Sequence, residues 1–198
     1  MKNKKSLLSI VYCLLSIAFL SCNSTFVTKP RGYYNIPLPE HEYKTFNEPG
    51  YPYSFEFPVY AKVVQDTTFF EDKPENPWWI NIDFPQFNSR IYISYKDLAR
   101  NDFSKMVNDA FKMTYKHTSK ATSINDSLMT TPNGVHGVFF TVGGNAATGK
   151  QFFMSDSTRH FLRGALYFDT TPNEDSLAPV SNFLQKDLEH LINTFRWK

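Results

Sequence analysis

The chain has 198 residues, 21 Lys and Arg against 19 Asp and Glu, a formal net charge of +2, and a 17% share of aromatic residues. So even a balance gives no electrostatic reason to expect nucleic acid or an anionic surface as partner. Two cysteines, Cys13 and Cys22, are too few for a disulfide scaffold.

Lys2, Lys4 and Lys5 open the chain, an uncharged apolar run follows from Leu7 to Leu20, and Ser21-Cys22 closes it. A membrane span needs about 20 apolar residues, so this run is short for one. Charged start, apolar core and small residue before cysteine predict a secretory leader over residues 1–21, cut before Cys22. The Cys22 thiol then carries a diacylglycerol and its amine a further acyl chain such as palmitate. Each buried methylene contributes about 0.8 kcal/mol, so several chains hold the protein on a membrane. Three of the 21 basic residues leave with the leader, and 18 then face 19 acids, so the basic balance belongs to the removed part. Cys22 is the sole thiol left, and the domain has to be held by its aromatic core.

Residues 22–29 read as a polar tether. Residues 30–50 read as an extended arm: Pro30, Pro37 and Pro39 forbid a helix and most ladder pairing. Tyr33, Tyr34, Ile36 and Leu38 would lay that arm on a domain spanning 51–198. Tyr53–Phe57 alternates as a strand, and Val59–Val64 continues it beyond Pro58. Phe69–Pro77 is an acidic loop. Trp78–Phe84 and Arg90–Lys96 form the clearest hairpin, with Ile80, Ile82 and Phe84 on one face and Asp83 facing Arg90 across the turn. A helix capped by Asn101 or Asp102 runs to about Lys116, its stripe formed by Phe103, Met106, Val107, Ala110, Met113 and Thr114. Strands follow at 121–129, 135–142, 151–154 and 161–168. A last helix, capped by Asp175 or Ser176, buries Val180, Phe183, Leu184, Leu188, Leu191, Ile192 and Phe195. This order predicts an α+β fold: a largely antiparallel sheet of six or seven strands covered by two main helices.

Few residues carry a chemical signature. Gly144 to Lys150 has the glycine and lysine spacing of a phosphate-binding loop. Gln151 stands where a magnesium-binding hydroxyl belongs, and a strand follows where a helix N-terminus is needed, so nucleotide binding is rejected. His41, His117, His136, His160 and His190 are scattered without metal-ligand spacing. No Gly-x-Ser-x-Gly elbow exists. Asp66, Glu71, Asp72 and Glu75 form a solvated acidic loop or, less simply, a carboxylate site. Asn125-Asp126-Ser127 matches a glycosylation sequon by letter only. No catalytic residue, metal or cofactor is expected. Alternation sends Trp78 and Trp79 to opposite faces: one is core, and Trp79 is either an exposed contact or covered by a neighbouring segment. Trp79, Tyr92, Tyr33 and Tyr34 are therefore the candidate partner-binding side chains, and Cys22 the lipidation site.

Several stretches carry a resemblance: Pro30–Pro39 (PRGYYNIPLP), Tyr51–Lys62 (YPYSFEFPVYAK), Trp79–Pro85 (WINIDFP), Arg90–Lys96 (RIYISYK), Tyr115–Thr118 (YKHT) and Phe195–Lys198 (FRWK). Together, in this order, they resemble the GldD family of gliding motility lipoproteins of Bacteroidetes-type bacteria. The resemblance implies an envelope lipoprotein of the gliding machinery, linked to type IX secretion, and no enzyme activity. The strand and helix order also resembles the Mog1/PsbP-like sandwich, an analogy of fold that transfers no function. The rival functions are a periplasmic small-molecule or peptidoglycan-associated binding module, and a hydrolase built on converging carboxylates or histidines. With no acidic run after Cys22, a periplasm-facing location is expected.

Overall fold

The computed structural model describes residue 32 and residues 35–68 and 73–198. Chain-order elements are β1 (Tyr43–Phe46), β2 (Tyr53–Pro58), β3 (Lys62–Gln65), β4 (Ile80–Phe84), β5 (Ser89–Asp97), α1 (Phe103–Tyr115), β6 (Ala121–Thr130), β7 (His136–Gly144), β8 (Lys150–Ser155), β9 (His160–Phe168), α2 (Glu174–Thr194) and β10 (Arg196–Trp197). Two antiparallel sheets result, one of seven strands in the order β3-β4-β5-β9-β8-β7-β6 and one of three in the order β1-β2-β10. The α+β class expected of the sequence is the class observed.

The alternation of the hairpin sets which way the large sheet faces. Ile80, Ile82 and Phe84 on β4 and Ile91, Ile93 and Tyr95 on β5 all turn inward, each at most 2% exposed. The turn between them is a single 3-10 turn, Pro85–Phe87, closed by Asn88 in the left-handed region at φ 45°. Against this inner face lie α2 and the small sheet, contributing Leu184, Leu188, Leu191, Phe55 and Phe195 to one core. Gly164 on β9 stands opposite Phe152 and Ile93. A Cβ there would lie 2.3 Å from Phe152 Cε1, so the aromatic ring requires a residue without a side chain. On the outer face, α1 covers β7, β8 and one end of β9, packing Met106, Val107, Ala110 and Phe111 onto Val138, Phe140, Phe153 and Phe161.

Five local expectations change. The second half of the arm, Tyr43–Phe46, is a strand, since no proline falls between His41 and Asn47 and β2 offers a free edge. Val59–Ala61 turns the chain, so β3 starts only at Lys62. On α1, Met113 is 45% exposed and Phe111 takes its place in the packed stripe. Helix α2 is capped by Asn173, whose side chain accepts from Ser176 N–H, a few residues earlier than expected. Pro179 consequently lies within the helix. Arg196 and Trp197 add the short β10 to β2.

Candidate partner-binding face

Helix α1 packs on β7, β8 and β9, and among the described residues part of the outer face beyond it, on β3 and β5, is exposed. Register places Val64, Asn81, Tyr92, Ala165 and Gln151 in one row across that face. Val64 is 47% and Tyr92 37% exposed. The Tyr92 ring meets Tyr167 edge-on at 5.5 Å, and the Arg90 guanidinium lies 5.5 Å from its centroid. Arg90 is itself fixed by a two-pronged pair with Asp83, Nη2 to Oδ2 at 3.0 Å, which raises its pKa. A rigid tyrosine flanked by an oriented guanidinium is the side-chain chemistry enriched at protein interfaces.

Buried polar groups border the patch. Arg163 donates Nη2 to Gln151 Oε1 at 2.5 Å, and Thr114 Oγ1 donates to the same oxygen at 3.3 Å. Burial lowers the Arg163 pKa, with Tyr167 acting the other way. The guanidinium remains charged, and no carboxylate pairs with it among the described residues. Gln151 Nε2 and Asn81 Oδ1 are buried without a hydrogen-bond partner among the described residues.

Of the four residues singled out for partner contact, Tyr92 is on this exposed surface. Trp79 is not: only 7% exposed, it donates Nε1 to Tyr95 O at 2.8 Å, and the Lys96 ammonium stands 5.4 Å from its ring. It belongs with the buried residues of the main core. Tyr33, Tyr34 and Cys22 lie outside the described residues. The predicted pair of Asp83 and Arg90 is present.

A second polar constellation joins the arm to α2. Asp187, 1% exposed, accepts from His41 Nδ1 at 2.7 Å, Tyr43 OH at 3.1 Å and Tyr60 OH. Burial first, then the Asp187 charge, pushes the Tyr43 phenol up to about 12 and raises Tyr60 as well. His41 stacks on Phe183 at 4.3 Å, and Tyr43 on His190 at 3.5 Å; His190 Nε2 meets Glu56 Oε2 at 2.7 Å. A carboxylate holding an imidazole supplies two members of a hydrolytic triad, and the nucleophile is the third. Among the described residues no serine or cysteine is bonded to His41, and the hydroxyls present donate to the carboxylate. The arrangement ties β1, the β2–β3 turn and α2 together. Asp187 escaped the sequence reading, although a signal existed: it interrupts the apolar stripe between Leu184 and Leu188.

The other suggested constellations do not assemble. Asp66 accepts from Thr68 N–H, whereas Glu75 pairs with Lys96 and Asn101. Glu71 and Asp72 lie outside the described residues. His136 bonds Thr130 and His160 bonds Tyr95. No group of three or more His, Cys, Asp or Glu among the described residues is placed to hold a metal ion. Lys150 opens strand β8, so the loop before it leads into a sheet. That loop and the first turns of α2 enclose a cleft of about 130 Å³, lined by Gly144, Ala146, Lys150, Glu174 and Leu177, among others. Sites for small organic ligands run from about 300 to 1,000 Å³. Burial lowers the Lys150 pKa, while Glu189 and Glu174 oppose the shift.

Sheet, helices and partly exposed outer face define a compact α+β module. The chain belongs to the family of gliding motility lipoproteins, whose family model, described as "Gliding motility lipoprotein GldD", matches residues 23–197. Among curated proteins none matches. The chain is similar to the cyanobacterial PsbP (CyanoP) from Synechocystis sp. PCC 6803, solved in solution, over 86% of this chain and 99% of that one, at 8% identity and a TM-score of 0.47. No helix among the described residues is long and apolar enough to cross a membrane.

Proposed function

We propose that this protein is a lipid-anchored, non-catalytic component of the gliding motility and type IX secretion machinery, and that it works by docking other envelope proteins. The observation that carries this reading is the family match, which begins at residue 23, directly after Cys22. In this reading residues 1–21 are removed, Cys22 carries the acyl chains, and residues 22–29 space the domain from the membrane on its periplasmic side. Tyr92, Arg90 and Tyr167 supply the contact surface, since they combine exposure with fixed geometry. Tyr33 and Tyr34, outside the described residues, remain contact candidates on the ground of their sequence alone. The alternative, a small-molecule or peptidoglycan-binding module, would have to use the cleft of about 130 Å³ beside Lys150 or the shallow groove of about 290 Å³ between Tyr115 and Ile124.

The test is to change Arg90 and Tyr92 together to alanine in the host. The Asp83 pair and the Tyr167 contact go with them, at about 1–3 kcal/mol of stability, so the level of the variant in the cells is measured alongside. The proposal expects spreading motility and secretion across the outer membrane to fall while the protein stays at its normal level. Normal motility and secretion in that strain would refute the placing of the contact surface. Normal behaviour in a strain lacking the gene altogether would refute the function.

A further inference from the structure

The two edges of the large sheet are built differently. At one end, β3 is four residues long and carries Lys62, so it offers little to an incoming strand. Short edges bearing lysine are how folded proteins avoid edge-to-edge pairing. At the other end, β6 runs for ten residues, Ala121–Thr130, about twice the usual strand length. It contains no proline and no lysine. Its one irregularity is a bulge between Ala121 and Ser123. Leu128 is 90% exposed.

Ladder geometry shows which backbone groups are free. Thr131 N–H donates to Val135 O at 2.9 Å where β6 turns into β7. Bonded and unbonded pairs alternate along an antiparallel ladder. Asn125, Ser127 and Met129 therefore turn their backbone groups toward β7, while Ile124, Asp126, Leu128 and Thr130 turn theirs outward. The bond from Val142 N–H to Gly149 O at 2.9 Å agrees, because Val142 stands opposite Ile124 and points its amide away from β6. Among the described residues nothing pairs with this outward side.

We infer that β6 is a docking edge that receives an extended segment of a different protein by strand addition, and that the segment carries a Lys or Arg between two apolar residues at alternate positions. Only an extended backbone can meet a row of alternating N–H and C=O groups. The outward-bonding residues present Ile124, Asp126 and Leu128 on one face of the sheet, so apolar, basic and apolar side chains complement them in that order. Charge selects a foreign strand over a second copy. Antiparallel self-pairing about the middle of β6 brings the two Asp126 carboxylates onto the same or adjacent rungs, and like charges there destabilise.

The experiment uses the full-length lipidated protein in detergent and two fluorescein-labelled heptapeptides, TVTKTVT and TVTETVT, followed by fluorescence polarisation. The lysine peptide is expected to bind at least ten-fold tighter than the glutamate peptide. Asp126→Lys should reverse that order, and Leu128→Lys should weaken both at least ten-fold without moving the melting temperature, since Leu128 is so exposed. Hydrogen exchange should show the lysine peptide protecting the amides of Ile124, Asp126 and Leu128. Equal binding of the two peptides, or an order unchanged by Asp126→Lys, overturns the inference. So does a resting dimer that Leu128→Lys dissolves, because the edge would then be filled by a second copy.

Discussion

Removing the carboxylate of Asp187 is the sharpest test of what closes the fold. In Asp187→Ala, three donors lose one acceptor: His41 Nδ1, Tyr43 OH and Tyr60 OH. A hydrogen bond to a charged group contributes about 1.5–3 kcal/mol. The His41 side chain is 28% exposed and Tyr43 is half-buried, so these two recover much of their loss by turning to water. Tyr60, packed on Phe84 and Phe183, recovers least. One full bond, two partial ones and the space left in the helix interface amount to about 3–4 kcal/mol. For a domain of this size each kcal/mol moves the melting point by about 2–4 °C, so a fall near 10 °C is expected. Urea unfolding followed by far-UV circular dichroism and by tryptophan fluorescence measures it, with coincident curves checking two-state behaviour. A second arm isolates the hub. Tyr60→Phe alone costs about 1–2 kcal/mol, but in the Asp187→Ala background it costs almost nothing, because its acceptor has already gone. A loss under about 1 kcal/mol for Asp187→Ala, or additive losses in the pair, would refute the reasoning.

Three further outcomes follow from other parts of the structure. Gly164→Ala places a methyl 2.3 Å from the Phe152 ring in a tightly packed interior, so stability should drop by about 1–3 kcal/mol, read from the same urea curves. Burial holds the His160 imidazole below its ordinary value of 6.5, against the nearby Asp156 and Asp97 charges. The unfolded chain therefore binds a proton that the folded one does not, and stability falls as pH drops through 6.5 toward the lower folded value, by at most about 1.4 kcal/mol per pH unit. His160→Gln should reduce that slope between pH 7 and 5, leaving the contribution of His117, also lowered by burial. Cys22→Ser should shift the protein from the membrane to the soluble fraction of lysed host cells, and equal membrane retention would sink the anchor reading.

What the sequence made legible depended on how local the cause was. The β4–β5 hairpin could be read because Ile80, Ile82 and Phe84 alternate against Asn81 and Asp83, and because Asp83 meets Arg90 across the turn. The apolar spacing from Val180 to Phe195 likewise announced α2. Strands β1 and β10 could not be read this way. They are four and two residues long and exist because β2 lies between them. Trp79 shows a limit of alternation: period two says which side a residue faces, not how deeply its ring is buried or that Lys96 stands beside it. The open edge of β6 was hidden for the same reason, since its polar Asn125-Asp126-Ser127 centre marks a strand poor in core contacts but cannot say that the strand is last in the sheet.

The position of the Asp187 cluster has a mechanical consequence. His41 and Tyr43 stand where the chain enters β1, so a pull arriving at Asn35 meets two side-chain hydrogen bonds to Asp187 at the first rung of the β1–β2 ladder. Those bonds converge on one helix residue. Load is therefore passed into α2 and the aromatic interior, and β1 is spared from peeling away from β2 one rung at a time. Force entering at the N-terminal end of the domain is thereby shared between a helix and a strand instead of falling on one edge rung alone.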